Sequence, residues 1–182
     1  MQDYINTFSG KKFNPVDPQP ESIDIRDIAH SLTFICRGNG QVKSYFSVAQ
    51  HCINCAKEAK ARGYSKRVQL AALLHDAGEC YLSDVPRPFK HFLPEYHTYE
   101  DRILTAIYGK FLGSDITAEE NALVRKIDDV MLYYDLLNLL DFKTGEKPEI
   151  NIELNYDFVP FEIQEKEYLS LFEALFGELT KN

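Results

Sequence analysis

Apolar side chains at Ile25, Ile28, Leu32 and Ile35 recur every three or four positions, the spacing of an amphipathic helix. The stretch RGNGQVKS, with glycines at 38 and 40, ends that pattern. Val48, Cys52, Cys55, Ala56 and Ala59 then mark one face of a second helix over about 47–62, with Gly63 as its stop. Ser65 is a suitable N-cap for a third helix reaching about Gly78, whose core stripe is Leu70, Leu73, Leu74 and Ala77. After the proline-rich stretch YLSDVPRPFKHFLPEY, the pattern predicts a helix over about 95–111. Thr117 and Glu120 have capping-box spacing and open a long helix reaching about Leu140. Residues 141–160 read as irregular, with INIEL a candidate short strand or part of a hairpin near 148–160, and a last helix fills about 161–179. The expectation is an all-α, single-domain helical bundle over 1–182. It comprises an extended arm at 1–22, where prolines and turn formers cluster, a helical core at 23–140, and an irregular segment plus helix at 141–182.

Four polar residues interrupt the apolar faces. His51 shares its helix face with Val48 and Cys55, and Asp128 lies between Val124 and Met131 on the inner side of the long helix. His75 follows Leu73 and Leu74, and Asp76 points about 100° away from it on an ideal helix. Asp129 has Arg125 one turn earlier, the signature of an ordinary surface pair. A single inward histidine is most often a hydrogen-bonded core residue. Two imidazoles and two carboxylates turned inward from three helices are another matter, because buried charges are paired or bound to metal. That donor set suits one divalent transition ion, Mn²⁺, Fe²⁺, Co²⁺, Ni²⁺ or Zn²⁺, with positions left for water and substrate.

Composition narrows the functions. The 182 residues are 45% hydrophobic and 13% aromatic, which fits a globular domain. The formal charge of −8 weighs against broad binding to nucleic acid or anionic membrane. No apolar run approaches the roughly 20 residues needed to span a bilayer, and the first residues show no signal-peptide core, so a cytoplasmic protein is expected. Cys52 and Cys55 form a CxxC with no second ligand pair at suitable spacing, so they, Cys36 and Cys80 read as structural thiols.

The order His51, then His75-Asp76, then Asp128 resembles the H…HD…D pattern of the HD-domain metal-dependent phosphohydrolases. ICRGNG at 35–40, YFSVAQH at 45–51, ALLHDAGECYLSDVPRPFK at 72–90, VRKIDD at 124–129 and an early FSGK…F are similar to the 5′-deoxyribonucleotidase-like group, including prophage-type members. The likeness runs over roughly residues 5–140. It implies His51, His75, Asp76 and Asp128 as metal ligands, Glu79 as the carboxylate addressing the attacking water, Asp84 near the leaving oxygen and Arg37 on the phosphate. Lys90 either adds positive charge at the phosphate mouth or is a solvated lysine. Two positions depart from the group: Gly38 stands where a bulky aromatic is common, and Gln50 where a glutamate is. The implied activity is hydrolysis of deoxyribonucleoside 5′-monophosphates by a homodimer. A deoxynucleoside triphosphohydrolase at the same site and an inactive nucleotide-sensing module are the alternatives. His30, His91 and His97 lack the spacing of a second metal site, and Phe89, Phe92, Tyr96 and Tyr99 suit either base stacking or packing.

Overall fold

A computed structural model describes residues 3–181. Two short strands, β1 (Ile5–Asn6) and β2 (Lys12–Phe13), form an antiparallel hairpin within the arm. The helices are α1 (Ile25–Phe34), α2 (Val48–Ala61), α3 (Lys66–Leu74), α4 (Glu79–Leu82), α5 (Arg87–Lys90), α6 (Pro94–Leu112), α7 (Ala118–Leu140) and α8 (Phe161–Leu179). The protein is a single all-α bundle. Among the described residues no helix is long and apolar enough to cross a membrane.

The helix ends follow local chemistry. Asp24, Ser47, Ser65 and Thr117 each cap a helix by accepting a backbone N–H with the side chain. At α7 the capping box is complete: Thr117 Oγ1 accepts from the Glu120 N–H at 3.2 Å, and Glu120 returns a carboxylate to the Thr117 N–H at 2.9 Å. Gly63 ends α2 with φ +72°, a left-handed conformation that a side chain would strain.

Two expectations are corrected. The third helix stops at Leu74 instead of continuing to Gly78, and His75 is its C-cap. Tight turns follow, with the Ala77 N–H donating to the Leu74 carbonyl and the Glu79 N–H to that of Asp76. Gly78 packs beside Ile103 and Leu104 of α6 at this bend. The second correction is the strand near 148–160, which is absent among the described residues. The alternation in INIEL is real, since Ile152 and Leu154 are half-buried between exposed neighbours. The segment finds no strand to pair with, so it lies as an extended strap on α2. Asn151 bonds there to both oxygens of Glu58, and the Gln50 side chain donates to the Asn155 carbonyl at 3.2 Å.

At the centre α2 and α3 pack against each other, with α1, α7 and α8 around them. Cys52, Cys55, Leu70, Leu73, Leu74, Ile107 and Ile127 are buried there. Tyr168 of α8 is fully buried, and its hydroxyl donates to the Leu73 carbonyl at 2.8 Å. That carbonyl belongs to the last turn of α3, which has no helical partner of its own. The four cysteines are free thiols.

Candidate metal and phosphate site

His51 sits on the second turn of α2 with no solvent exposure. Its Nδ1 lies 2.8 Å from Asp135 Oδ2, so with Nδ1 as donor the Nε2 lone pair faces inward. His75 Nδ1 lies 2.8 Å from the Ala72 carbonyl, which accepts only, so the His75 tautomer is fixed with Nε2 free. The bend after Leu74 resolves the geometry expected of adjacent ligands, because it carries both His75 and Asp76 to one side. Asp128 arrives from α7.

The four side chains meet. Asp128 Oδ1 is 3.2 Å from His51 Nε2 and 3.7 Å from His75 Nε2, while Asp76 Oδ2 is 3.8 Å and 3.3 Å from the same two atoms. Metal–ligand bonds of about 2.0–2.2 Å put neighbouring ligand atoms roughly 3–3.6 Å apart, so the cluster needs only slight contraction around one ion. His75 Nε2 is buried without a hydrogen-bond partner, the orphan that coordination would satisfy. Sulfur lies close as well: the Cys55 thiol is 3.5 Å from His51 Nε2, and ligand atoms of His51, Cys55 and His75 fall within 4.8 Å of one another. Cys52, His75 and Asp76 form a similar trio, although Cys52 faces the Nδ1 side of His75. Asp128 Oδ1 stands nearer His51 Nε2 than the Cys55 thiol does, and Asp76 and Asp128 each lie within 3.8 Å of both imidazole nitrogens, so these oxygens form the better donor set. The cluster is suited to holding a metal ion.

Charge agrees with that fit. Burial opposes a proton on His75, yet Asp76, Cys52 and Asp128 outweigh it and hold the imidazole well above its ordinary value. For His51, burial and Arg37 are outweighed by Cys55, Asp135 and Asp128. The site draws in positive charge, which a cation supplies in place of protons. Against burial, His75 and Arg37 hold the Asp76 carboxyl below its usual value.

Beside the cluster is a hollow of about 690 Å³ between α7 and residues 84–91. Its charged lining counts five carboxylates (Asp76, Glu79, Asp84, Asp128, Asp135) against three permanent cations (Arg37, Arg87, Lys90). Val42, Val85, Leu132 and Leu136 supply an apolar wall.

Arg37 begins a short 3₁₀ turn after α1, anchored by its N–H on the Phe46 carbonyl at 2.8 Å. Its guanidinium lies 3.2 Å from Asp76 Oδ2 and 3.5 Å from Asp135 Oδ2. At Gly38 the chain turns left-handed with φ +59°, which favours glycine over a residue with a side chain. The Gly38 N–H donates to Asp84 Oδ2 at 2.9 Å, so Asp84 secures the Arg37 turn from the facing loop. Glu79 opens α4, is 3% exposed, and has Oε2 buried without a partner. Burial, then Asp76 and Asp84, push its carboxyl well above the ordinary value. Lys90 is no solvated lysine: Nζ is 2.6 Å from Glu100 Oε1 and 3.6 Å from Glu79 Oε1.

Two participants escaped the sequence reading. Arg87 spans Asp128 Oδ2 at 2.8 Å and Asp129 Oδ1 at 3.0 Å, so Asp129 pairs across the loop and not with Arg125. Asp135 is 5% exposed behind His51. The stripe Val124, Asp128, Met131, Asp135 has steps of four, three and four, so the spacing that revealed Asp128 extends to Asp135. His30, by contrast, stacks on Phe8 and meets Glu165, while His97 meets Glu100, so these histidines take separate partners. Phe89 and Phe92 are exposed at 58% and 75% and form no part of the core.

No protein-family model matches the chain. It is 39% identical over 108 residues to "Uncharacterized protein YfdR" of Escherichia coli (strain K12), a stretch covering 59% of the chain and 58% of YfdR. It is 34% identical over 149 residues to "Uncharacterized protein RCAP_rcc00048" of Rhodobacter capsulatus, covering 78% of the chain and 76% of that protein. The chain belongs to the family of RCAP_rcc00048. Neither relative's name carries an activity, so a reading of function for the RCAP_rcc00048 family rests on the site itself.

Proposed function

We propose that the protein is a metal-dependent phosphohydrolase of the HD type, cleaving deoxyribonucleoside 5′-monophosphates to nucleoside and phosphate. The carrying observation is the convergence of His51, His75, Asp76 and Asp128 beside the buried Glu79 carboxyl, whose Oε2 has no partner. A divalent ion held by those four residues would neutralise phosphoryl oxygens and acidify a water. Mn²⁺, Fe²⁺, Co²⁺, Ni²⁺ and Zn²⁺ all suit two imidazoles and two carboxylates.

The remaining chemistry falls to the chain's own groups. Arg37, fixed between Asp76 and Asp135, grips the phosphate oxygens with its remaining N–H donors. With a cation in the cluster, Glu79 would be ionised; it would take a proton from the attacking water as the new P–O bond forms and yield it to the 5′ oxygen as that bond breaks. Its raised proton affinity suits that task, and such help contributes about 10²–10⁴-fold. Asp84 keeps the Arg37–Gly38 turn in register beside the departing oxygen. The apolar wall of Val42, Val85, Leu132 and Leu136 accepts the nucleoside.

A monophosphate fits better than a triphosphate. A second hollow, about 760 Å³, lies across Arg87; Glu100, Asp101, Asp115 and Asp129 line it with Asp76 and Asp128 and outnumber the cations Arg87, Lys90 and Arg125, a balance that disfavours extra phosphates. A purely sensory module would have no need of a carboxyl at Glu79 buried with Oε2 unpartnered. The test is phosphate release from a panel of deoxynucleoside mono- and triphosphates with Mn²⁺ or Co²⁺. Orthophosphate from monophosphates is expected, and its absence with every monophosphate overturns the proposal.

A further inference from the structure

We infer that Asp135 is a positioning residue that joins the metal cluster to the phosphate grip, and that Tyr156 of the extended strap holds it in place. This rests on the metal-site reading above. Asp135 stands seven residues beyond Asp128 on α7, two turns along the same face. One of its oxygens serves two groups, with Oδ2 at 2.8 Å from His51 Nδ1 and 3.5 Å from Arg37 Nε. The other, Oδ1, accepts the Tyr156 hydroxyl at 3.0 Å. Each anchor carries a separate consequence. The bond to Nδ1 fixes the His51 tautomer and ring plane, so that Nε2 points at Asp76 and Asp128. The contact with Nε turns the guanidinium so that Nη1 meets Asp76.

Tyr156 is held independently of the site. Its ring stacks on Phe46 with centroids 4.9 Å apart, next to the Ser47 cap of α2, and the neighbouring Asn155 carbonyl accepts from the Gln50 side chain. The strap therefore spans from the start of the ligand helix to the carboxylate behind the ligand. A carboxylate with one oxygen pinned by a rigid phenol loses the freedom to rotate away from His51. Outer partners of this kind set metal affinity by about 10–100-fold.

The experiment is a Co²⁺ titration of the full chain, following the visible Co²⁺ spectrum against a competing chelator, for Asp135→Ala, Asp135→Asn and Tyr156→Phe. Asp135→Ala is expected to weaken Co²⁺ binding about 10–100-fold. Asp135→Asn is expected to recover part of the loss, since its amide oxygen still accepts from Nδ1–H. Tyr156→Phe is expected to lose a few-fold while its thermal midpoint in chelator stays near the parent's. If Asp135→Ala fails to fold, Asp135→Asn and Tyr156→Phe carry the test. Parent-like affinity and spectrum in all folded variants overturns the role of Asp135 alone. A parent chain that binds no Co²⁺ overturns the metal reading instead, so the two failures are told apart.

Discussion

Replacing Glu79 with glutamine sets stability against activity in one experiment. The side chain is 3% exposed, Oε2 has no partner, and Lys90 Nζ stands 3.6 Å from Oε1. Burial, then Asp76 and Asp84, raise its folded-state proton affinity, with Arg37 and Lys90 opposing in part. In the unfolded chain the carboxyl titrates near 4.5. Above that value and below its folded one, the native protein keeps a proton that the unfolded chain has lost. Native stability therefore falls as pH rises through this window, by up to about 1.4 kcal/mol per pH unit. Glutamine exchanges no proton, so Glu79→Gln removes that slope. Urea unfolding in chelator at a series of pH values above 4.5 should show the variant gaining on the parent as pH rises, by at most about 1.4 kcal/mol per pH unit. Turnover of a deoxynucleoside monophosphate should fall by about 10²–10⁴-fold in the same variant. Stability curves that run parallel across the range would refute the burial argument, and undiminished turnover would remove Glu79 from the chemistry.

Other expectations follow from single contacts. Asp128→Asn should weaken Co²⁺ binding beyond the about 10–100-fold typical of an outer-shell change, measured by chelator competition. Arg87→Ala should tighten Co²⁺ binding a few-fold, because Asp128 Oδ2 no longer shares its charge with a guanidinium 2.8 Å away; the same titration reads it. Tyr168→Phe leaves the Leu73 carbonyl buried without its 2.8 Å donor and should cost about 1 kcal/mol, a fall of about 2–4 °C in thermal midpoint.

Helices and their ends were legible because they depend on local spacing. Ser47, Ser65 and Thr117 announce their caps, and α8 occupies the interval its pattern predicts. The convergence of polar side chains was legible for the opposite reason, as polar residues on apolar stripes at 51, 75, 76 and 128. What sequence could not supply was anything decided across space. The break after Leu74 depends on packing against α6, and the failed strand at INIEL depends on the lack of a neighbouring edge. Arg87 looked like part of a proline-rich loop, and only folding sets it on Asp128. Asp135 lay within reach of the stripe argument, but its partners come from residues 37, 51 and 156.

The placement of Tyr168 against Leu73 has a consequence for how the chain is made. During synthesis the converging residues at 51, 75, 76 and 128 leave the ribosome before α8, whose phenol closes the end of α3. Contacts between α8 and α1 or α3 span a long stretch of chain and carry a large loop-closure cost. The four converging side chains are thus synthesised before the helix that closes the end of α3, and their mutual geometry is completed only when α8 docks.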